Sequence, residues 1–365
     1  MREPPSRIQG IDVARGIASA IMIQGHAYDG WVRDADKTGD AYLFTRLLGT
    51  LPLPSFLLLA GAAIALRLEA ADARGEVPAK VRSALVRRGA MVFAFGYLVN
   101  AVSALVDGFE GPETFFRVDV LHVIGLSIMS IAALGVGARD GRLDRRRLAL
   151  AGVLLSVVPI AICPWVSAAL WGVAAPWSWA AGLLSYVAPV TRMPFIPLAA
   201  WAGMGLLLSL ALIRANRDAR SIAGAPDRVL AAMLGVALVV AIGGTRLEGW
   251  MTEALGVPLD QRSWAVVANA IELAARGVVV LALGALMTPR LPRLARELLA
   301  RLGRGSLVAY VFHVPFCYGA LARPIAWRLD MLEATLLVLL LEAASYAAVV
   351  ARDWVALRIP ARSAA

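Results

Sequence analysis

The stretch GIDVARGIASAIMIQGHAYDG, residues 10–30, decides how this chain is read. It matches the roughly 20 residues that an α-helix needs to cross a hydrocarbon core of about 30 Å. Yet it carries Asp12, Arg15 and His26, and a charge at bilayer depth costs at least roughly 2.5 to 3.5 kcal/mol. Such residues persist where they have a partner or a task. The segment is therefore read as a membrane span and as the first place to look for chemistry.

The rest of the chain agrees with a membrane class. Of 365 residues, 59% are hydrophobic and 17% charged, with a mean hydropathy of +0.70, far from the soluble average. No stretch shows the short alternating strands of an outer-membrane barrel. Long apolar runs bounded by charge or by Pro and Gly predict an all-α, polytopic transmembrane helical bundle of about ten spans. They lie near 10–30, 43–66, 85–106, 118–138, 148–172, 193–213, 229–245, 263–287, 305–322 and 331–351. Residues 174–190, with Pro176, Trp177 and Trp179, read as an interfacial or re-entrant piece, or as an eleventh span. Trp165 and Trp171 extend the same interfacial aromatic pattern. The loops are too short for a soluble domain, so 1–365 is expected to be one transmembrane domain.

Orientation follows from Lys and Arg. With the N-terminus cytoplasmic, ten spans put 25 of the 36 basic residues on the inner side and 9 on the outer, with Arg15 and Arg276 inside spans. That bias places both termini in the cytoplasm of a cell with the protein in its inner membrane. It also accounts for the net charge of +10 through anionic lipid, with no nucleic-acid partner. Asp12 and Arg15 interrupt the first apolar run, which does not read as a removable signal peptide. Cys163 and Cys317 sit inside apolar runs and read as packing residues. With three histidines, His26, His122 and His313, no local metal site is expected.

On a helix advancing about 100° per residue, Arg15 and His26 lie about 20° apart in azimuth and roughly 16 Å apart along the axis. Asp12 and Ser19 fall near the same line, so the four form one polar stripe. It must face the bundle or a wet cavity. One account is structural, an interfacial Asp12–Arg15 pair and a satisfied His26. The other is chemical, with a neutral His26 imidazole as a general base that a nearby carboxylate orients.

Other spans carry polar groups too. Asp119 and His122 stand at i, i+3, either an Asp-oriented imidazole or a helix-start carboxylate beside an interfacial His. Asn269, Glu272 and Arg276 share a face; Glu272 and Arg276 either neutralise each other or leave Arg276 to grip a phosphate or carboxylate. Tyr310 and His313 share a face of the ninth span. Glu342 lies deep in the last one and calls for an arginine or histidine partner on another span.

These residues carry a resemblance. Arg-x10-His within RIQGIDVARGIASAIMIQGH, residues 7–26, resembles the signature of the acyltransferase-3 family. Asp12, Arg15-Gly16 and His26 together also resemble the bacterial relatives of heparan-alpha-glucosaminide N-acetyltransferase. FRVDVLHVIGLSI (116–128), FIPLAAWAGMGLLLS (195–209) and GRGSLVAYVFHVPF (303–316) are similar to segments of those relatives, in the same order. The animal enzyme looks to have Asn in place of His26 and its catalytic His in the following loop, where residues 27–42 here have none. The resemblance implies an integral membrane acyltransferase. It would move an acyl group, most simply acetyl from acetyl-CoA as co-substrate with no permanently bound cofactor, to a hydroxyl or amine of a glycan or amino-sugar-like acceptor. Catalysis would fall to His26, as base or acyl carrier, with Asp12 and Arg15 holding the cytoplasmic end, and binding to Asp119, His122, Asn269, Glu272, Arg276, Tyr310 and His313. Basic cytoplasmic loops, Arg87 and Arg88 among them, would attract the polyanionic donor, and a homodimer is compatible. The competing class is a proton-coupled transporter or exporter of a small polar metabolite, in which the same residues form a substrate path; it lacks visible internal repeats.

Overall fold

The computed structural model describes residues 9–107, 112–170, 172–173, 177–185, 193–215, 230–243 and 261–358. The helices are α1 (Gln9–Trp31), α2 (Asp40–Gly49), α3 (Pro52–Ala73), α4 (Pro78–Asp107), α5 (Pro112–Phe116), α6 (Val120–Gly135) and α7 (Arg145–Leu170). They continue with α8 (Trp177–Leu184), α9 (Phe195–Ala215), α10 (Leu230–Gly243), α11 (Gln261–Met287), α12 (Arg293–Arg304), α13 (Ser306–Cys317) and α14 (Met331–Arg358). Among the described residues the strands are β1 (Ala138–Arg139) and β2 (Arg142–Leu143), a short antiparallel hairpin between α6 and α7. The protein is all-α.

Each predicted span overlaps helix among the described residues. Six helical segments are long and apolar enough to cross a membrane: Asp40–Ala73, Pro78–Val106, Arg145–Leu170, Phe195–Arg214, Val267–Met287 and Met331–Arg358. The count of ten needs four more. Of these, α6, α10 and α13 are apolar but shorter, and α1, at 23 residues, is long enough but carries the polar stripe. α8, with eight residues, extends about 12 Å and does not cross by itself; residues 174–176 and 186–190, like Trp171, lie outside the described residues. Trp165 and Trp177 are exposed, while Trp179 stacks on Phe116 at 4.5 Å between ring centroids. Leu98, Leu105, Leu336 and Leu340 are exposed on α4 and α14, a pattern that water penalises and lipid tolerates.

The chain divides into two compact units, one of Leu53–Ala282 and one of Arg7–Pro52 with Leu283–Ala365. In the first, Leu68, Ile131, Leu148 and Leu206 are fully buried in a core drawn from α3, α6, α7 and α9. α3 and α9 touch backbone to backbone: a Cβ on Gly205 would stand 2.6 Å from the Leu58 carbonyl carbon, and one on Gly61 2.9 Å from that of Ala202. At the α3–α4 turn Glu76 accepts from Arg67 and from Arg74, both at 2.7 Å. These two donors hold its carboxyl below the usual carboxylate range.

Trp201 on α9 is completely buried and donates its Nε1–H to the Ala270 carbonyl of α11 at 2.9 Å. Trp201→Phe keeps most of the apolar bulk and loses that donor. It is expected to cost about 1 to 3 kcal/mol, read as a lower melting temperature in detergent. A melt unchanged from wild type would remove this anchor from the account.

In the second unit, α1, α13 and α14 share a core that includes Ile23, Val338, Leu341 and Val349. The last carbonyls of a helix lack intrahelical partners. Those of α1 are met by the chain after α13: Gly30 O accepts from Trp327 N and Trp31 O from Leu329 N, both at 3.0 Å. Side chains lock the same end. Trp31 Nε1 donates to Phe316 O at 2.8 Å, and Tyr28 Oη lies 2.8 Å from Thr335 Oγ1. The register of α1 against α13 is thus set by Trp31, about one and a half helical turns beyond His26.

Candidate active site

The stripe of α1 is continuous, as its helical spacing predicts. Asp12 is buried. Arg15 approaches one of its oxygens at 3.9 Å and Arg304 of α12 the other at 3.6 Å. The expected Asp12–Arg15 pair is therefore a triad whose third member was counted in the sequence only as a loop charge. Ser19, fully buried, donates its hydroxyl to Arg15 O at 2.8 Å.

At the far end of α1, half-buried His26 meets His313 of α13, which is fully buried. His26 Nδ1 lies 2.9 Å from His313 Nε2, and His313 Nδ1 lies 2.7 Å from Ala309 O. The ring planes are 20° apart with centroids 5.1 Å apart, the arrangement of two rings joined edge to edge through a hydrogen bond. Tyr310 packs edge-on against His313 at 6.0 Å. Tyr318 tilts against His26 at 5.3 Å.

Around this pair stand groups that the sequence reading missed. Asp29 follows His26 by one turn. It accepts from Arg46 of α2 at 2.8 Å on one oxygen and from the Tyr318 hydroxyl at 3.0 Å on the other. The signal for Asp29 was available in its i+3 spacing from His26. Arg46 and Tyr318 carried no such signal.

Asp119, His122, Asn269, Glu272 and Arg276 belong to the other unit. Asp119 and His122 form a capping box at the start of α6, and His122 Nδ1 also lies 3.1 Å from Asp119 Oδ1, a geometry common to the helix cap and to an Asp-oriented imidazole. Leu121 N donates to Asp119 Oδ1 at 3.0 Å, and Asp119 N donates to His122 Nδ1 at 3.1 Å. Asn100 donates to Phe115 O and Arg117 O and so fixes the approach to this cap. The His122 ring is fully buried, edge-on to Phe93 at 5.3 Å and to Tyr97 at 4.3 Å. Glu272 and Arg276 are ion-paired, the mutual neutralisation the spacing allowed; Asn269 is exposed on the same helix. Glu342, expected to meet an arginine or histidine of another span, is half-buried on α14 and has no ion pair among the described residues. The basic residues that helix packing turns toward α1 and the end of α14 serve Asp12 and Asp353 instead. Cys163 and Cys317 are buried free thiols, as packing residues are.

The His26–His313 pair unites a ring nitrogen, a second ring that hydrogen-bonds it and a partly exposed imidazole. That combination suits proton abstraction from an acceptor hydroxyl or amine. No curated protein matches the chain. Residues 7–240 match the family described as heparan-alpha-glucosaminide N-acetyltransferase, catalytic, a match that takes in α1 and His26 and ends before α13. The match covers well over half of the chain, and this protein belongs to that family of membrane N-acetyltransferases.

Proposed function

We propose that this protein transfers an acetyl group from acetyl-CoA to an amine or hydroxyl of a carbohydrate-type acceptor, with His26 as the general base. The observation that carries this reading is the His26–His313 hydrogen bond at 2.9 Å in a chain of this family. An imidazole held by a second group, with one flank partly open, is equipped to take a proton at neutral pH. As the acceptor nitrogen or oxygen attacks the thioester carbonyl, its proton passes to His26. The carbon–sulfur bond then breaks, and the CoA thiolate leaves and recovers that proton. Direct transfer in a ternary complex needs no acyl-enzyme.

Arg15 and Arg304 around Asp12 carry one positive charge in excess and suit the phosphates of the donor. The Lys and Arg bias puts this end of α1 toward the cytoplasm, where acetyl-CoA is made, and both termini on the same side. The inner membrane is the location this implies.

The test uses purified full-length protein in detergent with radiolabelled acetyl-CoA and a panel of amino sugars and neutral sugars. Acetylated sugar is the expected product, with no label on the protein when acceptor is absent. Absence of CoA binding, together with sugar-coupled proton flux in proteoliposomes, would replace transfer by transport.

A further inference from the structure

The hydrogen-bond chain that ends on His26 has a direction, and the direction chooses the nitrogen that does the chemistry. A backbone carbonyl can only accept, so His313 Nδ1, 2.7 Å from Ala309 O, carries a hydrogen. A neutral imidazole has one N–H, so His313 Nε2 offers a lone pair. His26 Nδ1 lies 2.9 Å from that lone pair and must be the donor. The lone pair of a neutral His26 is then on Nε2.

We propose that His313 is a positioning residue that holds His26 in the Nδ1–H tautomer, so that Nε2 is the nitrogen that takes the acceptor proton. This rests on the proposed acetyl transfer. It goes beyond it in assigning the active nitrogen and a role to a residue outside the stretch matched to the family. When Nε2 takes the proton, the new imidazolium keeps its Nδ1–H on His313 Nε2, and no further proton has to move. A neutral partner in this role avoids a second full charge at membrane depth, which is costly without a counter-ion. Asp29, the nearest carboxylate in sequence, is engaged by Arg46 and Tyr318. Tyr318 packs against His26 and Tyr310 against His313, and Asp29 with Arg46 joins this surround through the Tyr318 hydroxyl.

The chain has three histidines, so nitrogen NMR of full-length protein labelled with 15N-histidine resolves each ring, with His122→Gln and His313→Gln for assignment. At neutral pH the neutral rings of both His26 and His313 are expected to carry their hydrogen on Nδ1. A neutral His26 protonated on Nε2 overturns the proposal, whatever the variants do. His313→Gln presents an amide oxygen that can accept from His26 Nδ1, and is expected to keep kcat within about tenfold of wild type. His313→Leu offers no acceptor. It is expected to lower kcat by about 100-fold or more, as a wrong tautomer does in hydrolases, with KM for the donor unchanged and His26 shifted toward Nε2–H. Equal kcat and an unchanged His26 spectrum in the leucine variant also overturn it. Should wild type show these tautomers and yet transfer no acetyl group, the proposed function fails and the hydrogen-bond assignment stands.

Discussion

Gly16→Leu is expected to leave no stably folded protein. A Cβ on Gly16 would overlap the Leu299 carbonyl oxygen of α12 and stand 2.7 Å from its carbon. The obstacle is backbone, which no rotamer change relieves. The contact is reciprocal, since a Cβ on Gly303 would overlap Asp12 O and lie 2.8 Å from Gly16 N. Relief requires α1 and α12 to separate, and with them Asp12 from Arg304. Overpacking of this kind ordinarily costs about 1 to 3 kcal/mol. Here the rigid neighbour and the longer side chain put the loss above about 4 kcal/mol. Gly235→Ala on α10, where an added Cβ meets nothing within 4 Å, is the control and should hold or gain stability through helix propensity. Thermal unfolding and size-exclusion profiles in one detergent compare the two. A Gly16→Leu protein that stays monodisperse and melts with wild type would show that α1 and α12 do not meet in this way.

The second large effect is on turnover. His26→Ala is expected to lower acetyl transfer by about 10² to 10⁴-fold, the usual contribution of a positioned general base, while acetyl-CoA affinity stays close to wild type. Some stability goes as well, because His313 Nε2, in a fully buried ring, loses its donor at a cost of about 1 to 3 kcal/mol. His26→Gln, whose amide can still donate to His313, separates the two losses: it should melt near wild type and remain inactive. If His26→Ala turns over an amino sugar at the wild-type rate with donor saturating, the base is another group, and His122 becomes the next histidine to test.

Much of this was legible where partners are close in sequence. Asp12 with Arg15, Asp119 with His122 and Glu272 with Arg276 are all i, i+3 or i, i+4 pairs. Helix geometry alone brings such residues together. The polar stripe of α1 was legible for the same reason, since its azimuths follow from 3.6 residues per turn. The choice between functions for these pairs was less so. Asp119 and His122 satisfy a helix cap as fully as they would build an acid/base unit, and spacing does not distinguish the two. The span count had a similar limit, because α6, α10 and α13 are apolar but short, and hydropathy measures length and composition together.

The sequence by itself determined an all-α membrane protein, the inward line of Asp12, Arg15, Ser19 and His26, and the kinship its motifs share with a family of membrane acetyltransferases. Only the tertiary structure decided what that line meets. His26 and His313 are 287 residues apart, and Asp29 and Tyr318 are 289 apart. No periodicity relates positions on different helices. Their meeting depends on how closely α1 can approach its neighbours, which is set by Gly16 and Gly303 at one end. At the other, the carbonyls of Gly30 and Trp31 take their donors from the chain beyond α13. Local spacing assigns a residue to a face, and packing assigns that face its partner.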